Sequence, residues 1–289
     1  MRKSSARPVR RPLRSVCVRV GAARISNDSP LFFIAGLCIL ESAPLLARVA
    51  RALKEAFAPL KARWALKCSF DKANRSSIRS FRGPGLARAL EAFARVKADL
   101  RVPLLTDIHE PWQAAQAAKV ADILQIPAFL CRQTDLLVAA GKSGAAVNIK
   151  KGQFLSPWDM RNAAAKVEST GNRRILLTER GSSFGYGNLV VDMRSLQVLR
   201  DFSYPVVFDA THSCQLPGAL GDSTGGERRH IPLLARAAVA AGVAGVSLEV
   251  HPDPSRALSD GPNTLPLAEV AKLARDLSAI DRLVKRMKI

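Results

Sequence analysis

The feature that most restricts the fold of this chain is an alternation repeated eight times. A short apolar or β-branched run is followed by a polar turn and then by a stretch with helical spacing. The runs are Leu31–Leu37, Trp64–Phe70, Val102–Ile108, Ile123–Phe129, Ala146–Lys150, Arg174–Arg180, Pro205–Thr211 and Gly245–Val250. Each is about as long as a buried strand. Between them, Leu46, Val49, Leu53 and Phe57 repeat with helical period. So do Leu267, Val270, Leu273, Leu277, Ile280 and Val284. Pro44, Pro111 and Pro157 stand where helices should begin, since a first-turn residue has no N–H bond to lose. Strands that alternate with helices pair in parallel. Eight such units predict closure into a (β/α)8 barrel, and 289 residues is an ordinary size for one. Ahead of the repeat, Val16–Val20 and Ala22–Ile25 flank Gly21 and predict a hairpin closing the lower end of the barrel. The expected organisation is one catalytic domain over residues 16–289, preceded by a basic, disordered extension over residues 1–15.

Composition narrows the function classes. Apolar residues make up 48% of the chain, enough for a large core. No apolar run approaches the ~20 residues of a membrane-spanning helix; Leu31–Leu40 is too short. Five widely spaced cysteines argue against a secreted disulfide framework and for a reducing cytoplasm. The net charge of +20 invites nucleic acid as a partner. Yet eight of the basic residues fall between Arg2 and Arg24, before the first acid, with no interleaved aromatic and no helical stripe. Neither nucleic acid nor membrane is the expected partner, and a nucleic-acid-binding protein is kept only as a remote alternative.

In barrels of this kind, chemistry sits at the C-terminal ends of the strands. Those ends read Gly36-Leu37-Cys38; Lys67, then Asp71-Lys72-Ala73-Asn74-Arg75-Ser76; Asp107-Ile108-His109; Gln125, Pro127 and Ala128; Asn148-Ile149-Lys150-Lys151; Glu179-Arg180; Asp209-Ala210-Thr211-His212; and Glu249-Val250-His251 with Asp253 and Asp260 beyond. Alternation along a strand puts Asp107 with His109, Lys67 with Ser69, and Glu249 with His251 on the inward face. Lys67, Lys72, Arg75, Lys150 and Arg180 then converge. Cations in so small a volume need anions, and phosphates and carboxylates fit, with Arg making forked contacts. Cys38, His212, Glu249 and Asp260 come from strands one, seven and eight, which closure makes neighbours. Their S, N, O, O donors suit a borderline divalent ion such as Zn, Fe, Mn, Co or Cd. Singly, each has a plainer reading: a cysteine in an apolar strand is usually core, and a lone histidine is more often an acid–base group.

The blocks LKCSFDKANRSSIRSFRGPG (66–85), TDIHEP (106–111), QIPAFLCRQTD (125–135), NIKKGQF (148–154), TERGSSFGYGNLVVDM (178–193) and EVHPDPSRALSDGP (249–262) resemble the 3-deoxy-D-manno-octulosonate 8-phosphate synthases over about residues 27–285. FDKANRSS separates the chain from the related heptulosonate synthases, which carry a Lys-Pro-Arg type of segment there. The resemblance implies a TIM barrel, usually a homotetramer, that condenses phosphoenolpyruvate with arabinose 5-phosphate for lipopolysaccharide synthesis. It implies that Lys67, Lys150 and Arg180 hold phosphoenolpyruvate in a pocket lined by Gln125, Ala128 and Gln153. Lys72, Asn74, Arg75 and Ser76 would bind the sugar phosphate, with Arg132 reaching a neighbouring subunit's site. Asp107, His109, Lys72 and His212 would take catalytic parts.

The family has two classes. One carries Asn at the position of Cys38 and works without metal; the other carries Cys and binds a divalent ion. Cys38 and the THSCQLPGALGDSTGG loop (211–226) resemble the metal-dependent class, and Cys38, His212, Glu249 and Asp260 fall on its ligand positions. Two departures stand out: Leu37 where many relatives have Pro, and Gly187 where Asn or Asp is usual. The rival enzymes on the same barrel are a heptulosonate-type synthase and a Schiff-base aldolase with Lys150 as nucleophile.

Overall fold

A computed structural model describes residues 15–218 and 225–287. The expected basic extension over 1–15 falls almost wholly outside the described residues, as do 219–224 of the 211–226 loop. All eight apolar runs form strands: β1 (Phe32–Ile39), β2 (Arg63–Ser69), β3 (Leu104–Asp107), β4 (Ile123–Ile126), β5 (Ala146–Lys150), β6 (Ile175–Glu179), β7 (Val206–Asp209) and β8 (Gly245–His251). Each pairs in parallel with the next, and β8 pairs with β1 from Gly245↔Phe32 to Glu249↔Gly36, closing the barrel.

The outer ring consists of α1 (Ala43–Phe57), α2 (Leu86–Leu100), α3 (Pro111–Ala117), α4 (Thr134–Lys142), α5 (Met160–Glu168), α6 (Arg194–Arg200), α7 (Ile231–Ala240) and α8 (Val270–Arg286). The periodic residues face inward as expected: α1 buries Leu46, Val49, Leu53 and Phe57. Pro44 and Pro111 lie in the first turns of α1 and α3, and Ser42 caps α1 by accepting from the Leu45 amide at 3.3 Å. Pro157 opens a 3-10 turn that leads into α5.

Alternation along the strands divides the residues between two apolar regions. Phe33, Ala35, Leu37 and their equivalents pack outward under the helices. Phe32, Ile34, Ala65, Leu105, Ile123, Ala146, Leu176 and Val207 fill the lower interior. The predicted hairpin forms with shorter strands, Val18–Val20 and Ala23–Ile25. Its Val18, Val20, Ala23 and Ile25 join that interior cluster, so the hairpin stoppers the N-terminal end. Two residues further along each strand the interior turns polar. Thr178 Oγ1 donates to Asn148 Oδ1 (2.6 Å), and Asn148 Nδ2 donates to Gln125 Oε1 (3.0 Å). Lys67, Asp107 and Asp209 stand at the same step of their own strands, and Asp107 is in register with Gln125.

Candidate active site and metal centre

The top of β1 shows how the strand is bent to serve the site. Gly36 is in close contact with β2: a Cβ there would sit 1.9 Å from the Lys67 carbonyl oxygen, so no larger residue fits. Just beyond, the β1–β2 register slips between Leu37 and Ile39, which is a bulge at Cys38. A bulge re-aims one side chain and frees backbone groups. Cys38, preceded by Leu37 and not Pro, keeps the inward face of Phe32, Ile34 and Gly36, and the bulge leaves the carbonyls beside it outside the ladder. Lys67 Nζ takes up the freed carbonyls of Cys38 (2.8 Å) and Leu37 (3.3 Å) while pairing with Glu249.

The four expected metal-binding side chains come together. Their donor atoms all lie within 4.8 Å of one another. Cys38 Sγ is 3.1 Å from Asp260 Oδ2, and His212 Nε2 is 3.4 Å from Glu249 Oε2 and 3.8 Å from Asp260 Oδ2. Tetrahedral ligands about 2.0–2.3 Å from an ion are separated by roughly 3.3–3.8 Å, so these gaps are near those of a coordination shell. Glu249 Oε2 is buried and lacks a hydrogen-bond partner. A desolvated carboxylate oxygen facing an imidazole, a thiol and a second carboxylate is a vacancy in bonding that a cation satisfies. Asp260 holds a left-handed backbone (φ 52°), a conformation Asp tolerates better than most residues.

The imidazole of His212 is held from behind. Asp209, fully buried, places Oδ2 2.8 Å from His212 Nδ1 and 2.5 Å from Lys150 Nζ. Its Oδ1 accepts from the His212 amide (3.0 Å) and from Thr211 Oγ1 (3.1 Å). A carboxylate behind a ligand histidine fixes which ring nitrogen faces the ion. With Nδ1 engaged this way and Nε2 turned to Glu249 and Asp260, the geometry suits a ligand better than a free acid or base. Gln215 bridges the two halves of the mouth: Nε2 donates to Asp260 Oδ1 (3.1 Å), and Oε1 accepts from Arg180.

Beside this cluster lies a cavity of about 190 Å3 lined by Lys72, Asn74, Arg75, Ser76, Asp107, Gln125, Ala128, Lys150, Gln153, Arg180, His212, Glu249 and Asp260, among others. Nearly all the expected substrate-binding residues therefore share one wall or another of it. Lys67 does not line it; it lies below, on Glu249. His109 stands behind Asp107, its Nε2 3.2 Å from Asp107 Oδ2 and its ring edge-on to Phe70. Arg132 is exposed and outside the cavity of its own chain. The Arg75 guanidinium donates to Ser259 Oγ (2.7 Å) and the Leu258 carbonyl (3.1 Å), tying the β2 loop to the β8 loop, while its Nε is buried without a partner.

The converging cations are not bare. Asp107, Asp209, Glu249 and Asp260 are interleaved with Lys67, Lys72, Lys150 and Arg180, so the protein supplies much of the compensating charge. Burial alone would raise the Glu249 carboxyl, but His212, Lys67 and Lys72 outweigh it and bring it down to about 2. Against the same burial penalty, the His109 hydrogen bond and the charges of Lys72 and Lys67 hold Asp107 well below the usual carboxylate range. Burial opposes the charge on Lys72 as well, yet Cys38, Glu249 and Asp107 push its affinity for a proton upward. Burial and then Glu249 drive the Cys38 thiol up; a bound cation is what such a thiol needs to give up its proton.

Asp209, Gln215 and Ser259 were not foreseen as site residues. Asp209 had a signal, being an inward-facing acid two places before Thr211 in FDATH. Gln215 and Ser259 lie in loops and had none.

Comparison with known proteins agrees with this geometry. Residues 15–286 match the DAHP synthetase I family. A 2-dehydro-3-deoxyphosphooctonate aldolase of Nitratidesulfovibrio vulgaris (strain DP4) is 60% identical over 249 residues, covering 86% of this chain and 91% of that protein. Proteins of the same name from Nitrobacter winogradskyi and Syntrophotalea carbinolica are 57% and 56% identical over 272 and 268 residues, covering 94% and 93% of this chain and 95% and 97% of theirs. The chain belongs to the DAHP synthetase I family and, within it, to the 2-dehydro-3-deoxyphosphooctonate aldolases, the 3-deoxy-D-manno-octulosonate 8-phosphate synthases of the sequence blocks above.

Proposed function

We propose that this enzyme condenses phosphoenolpyruvate with arabinose 5-phosphate and water, giving 3-deoxy-D-manno-octulosonate 8-phosphate and inorganic phosphate, and that it uses a divalent metal ion. The observation that carries this reading is one cavity where four cationic side chains, Lys72, Arg75, Lys150 and Arg180, meet a four-donor Cys/His/Glu/Asp cluster. Two phosphorylated substrates need such cations, and the donor set fits an ion of the Zn, Fe, Mn, Co or Cd kind.

In the reaction, C3 of phosphoenolpyruvate attacks the aldehyde carbon, water adds at C2, and the C2–O bond to phosphate breaks. Lys150 and Arg180 would hold the phosphoenolpyruvate anions against the wall of Gln125, Ala128 and Gln153. Arg75, Ser76 and Asn74 would hold the sugar phosphate. Lys72, kept charged by the surrounding acids, would donate to the aldehyde oxygen as it becomes a hydroxyl. Asp107, positioned by His109, would orient the attacking water. Cys38, His212, Glu249 and Asp260 would hold the ion, whose contribution is to polarise or organise this side of the mouth. With both ring nitrogens committed, His212 would serve as ligand and not as a mobile acid. Arg132, exposed on its own subunit, would complete a neighbour's site in a homotetramer. The five free cysteines, and described helices too short or too polar to cross a membrane, support a cytoplasmic setting.

The test is phosphate release from phosphoenolpyruvate with arabinose 5-phosphate, run with and without chelator. Release that needs the five-carbon sugar phosphate and is lost on chelation supports the reading. Preference for a four-carbon aldose phosphate would instead indicate a heptulosonate-type synthase. Borohydride trapping of a carbonyl substrate on Lys150 would indicate the Schiff-base aldolase.

A further inference from the structure

Behind the cavity wall, outside the groups that face substrate or metal, lies a buried ion pair that the reaction does not use directly. Lys150 pairs in register with Thr178, so the next residues on each strand, Lys151 and Glu179, lie side by side on the outward face of β5 and β6. Both are 1% exposed, and Lys151 Nζ is 3.4 Å from Glu179 Oε1. A buried pair is sustained only when its remaining hydrogen-bonding capacity is met, and here loop backbone meets much of it. Lys151 donates to the carbonyls of Gly181 (3.1 Å), Gly152 (3.3 Å) and Leu155 (3.3 Å) and to Ser182 Oγ (3.0 Å). Glu179 Oε1 accepts the consecutive amides of Arg180 (2.9 Å) and Gly181 (2.7 Å), and its Oε2 accepts from Ser195 Oγ of α6 (2.7 Å). Gly181 takes the left-handed turn (φ 92°) that lets both amides point at one oxygen.

The two loops fastened in this way carry Gln153 and Arg180. Ser183 N donates to the Gln153 carbonyl (2.9 Å), a second tie between them. On the cavity side, Arg180 Nη1 and Gln153 Oε1 are each buried with no partner. One donor and one acceptor are thus held facing the cavity, with their backbones fixed by the same ion pair.

We propose that Glu179 and Lys151 are positioning residues for phosphoenolpyruvate: they set the turn at Arg180 and the loop at Gln153, and so fix two of the groups that recognise that substrate. This rests on the assignment of Arg180 to phosphoenolpyruvate. The pair touches neither substrate. Its contacts are with the segments after β5 and β6 and with Ser195, whereas the proposed ligands of the sugar phosphate are in the β2 loop.

Steady-state kinetics on the metal-loaded enzyme tests this with Glu179→Gln, Ser195→Ala and Arg180→Lys. Glu179→Gln keeps an acceptor for the two amides but removes the charge opposite Lys151. It should raise KM for phosphoenolpyruvate about tenfold, with KM for arabinose 5-phosphate and kcat within about threefold of the parent. Ser195→Ala, a milder change, should raise the same constant about two- to threefold. General destabilisation lowers the active fraction, and so kcat, and leaves both KM values alone. Equal effects on the two substrates, or an unchanged phosphoenolpyruvate KM in both variants while Arg180→Lys raises it, would overturn the positioning role. If Arg180→Lys itself leaves that constant unchanged, the assignment of Arg180 falls and the proposal with it. Should Glu179→Gln fail to fold, Ser195→Ala decides.

Discussion

The two ends of the barrel interior are built from the same strands and do opposite work. At the lower end, Phe32, Ile34, Leu105, Ile123, Leu176 and Val207 meet the hairpin's Val18, Val20 and Ile25, with no ionisable side chain in the cluster. At the upper end, Lys67, Asp107, Lys150, Asp209 and Glu249 stand on five of the eight strands, all buried. Beside them, Gln125, Asn148 and Thr178 are joined by hydrogen bonds between their own side chains. A change from apolar to polar and ionic over two or three residues per strand separates stability from chemistry. Burial at the bottom contributes through area removed from water; burial at the top makes each charge depend on its partner.

If this division is right, mutations at the two ends should fail in different assays. Phe32→Ala, in the hairpin-capped cluster, should lower unfolding free energy by about 3–5 kcal/mol. The surviving folded protein should keep its KM values, as chemical denaturation and kinetics on the same sample would show. Cys38→Ala should do the reverse. Turnover should fall more than about 100-fold, since a lost ligand costs at least what lost supporting residues do, and bound metal per chain by elemental analysis should fall with it. The apo-protein melting temperature should move by only a few degrees. Cys38→Asn sharpens the point: partial turnover that ignores chelator is expected, because an amide can hydrogen-bond where the ion sat. Full turnover of metal-free parent protein would end the metal proposal and leave the condensation reading intact.

Arg75→Ala should raise KM for arabinose 5-phosphate by about 10- to 100-fold, the usual worth of a charge-assisted contact, and that for phosphoenolpyruvate far less. Part of the effect should come from freeing the Leu258–Ser259 loop, so comparable increases for both substrates would mark Arg75 as a loop anchor and no more. The smallest effect belongs to the middle belt. Thr178→Val removes one donor and leaves Asn148 Oδ1 buried without it, costing about 1–3 kcal/mol of stability. Both KM values should stay near those of the parent.

How much of this was legible before the structure follows from which signals are local. The strands were, because β-branched and apolar runs punctuated by polar turns need no distant information. The inward direction of Lys67, Asp107, Lys150 and Glu249 followed from alternation. The neighbourhood of Cys38, His212, Glu249 and Asp260 followed from closure, which makes strands one, seven and eight neighbours, and the family resemblance pointed to the same four residues. The bulge at Cys38, which frees the carbonyls that Lys67 takes up, was hidden, since nothing in AGLCILES separates a bulged strand from a regular one. The ion pair of Lys151 and Glu179 was hidden for the opposite reason. Alternation sends both outward, where charge ordinarily means solvent, and only the wrapping of the Gly152–Leu155 and Gly181–Ser182 segments buries them.

The thiol of Cys38 and the carboxylate of Asp260 meet although 222 residues separate them along the chain. Contacts of such separation carry a large loop-closure cost and form late in folding. During synthesis the ribosome must release almost the entire barrel before the metal-binding cluster can exist, and the early strands wait for β8 with their edges unpaired. An incomplete product therefore carries the Cys38 thiol without Asp260, and under the metal reading proposed above, loading with metal would report that translation and closure have both been finished.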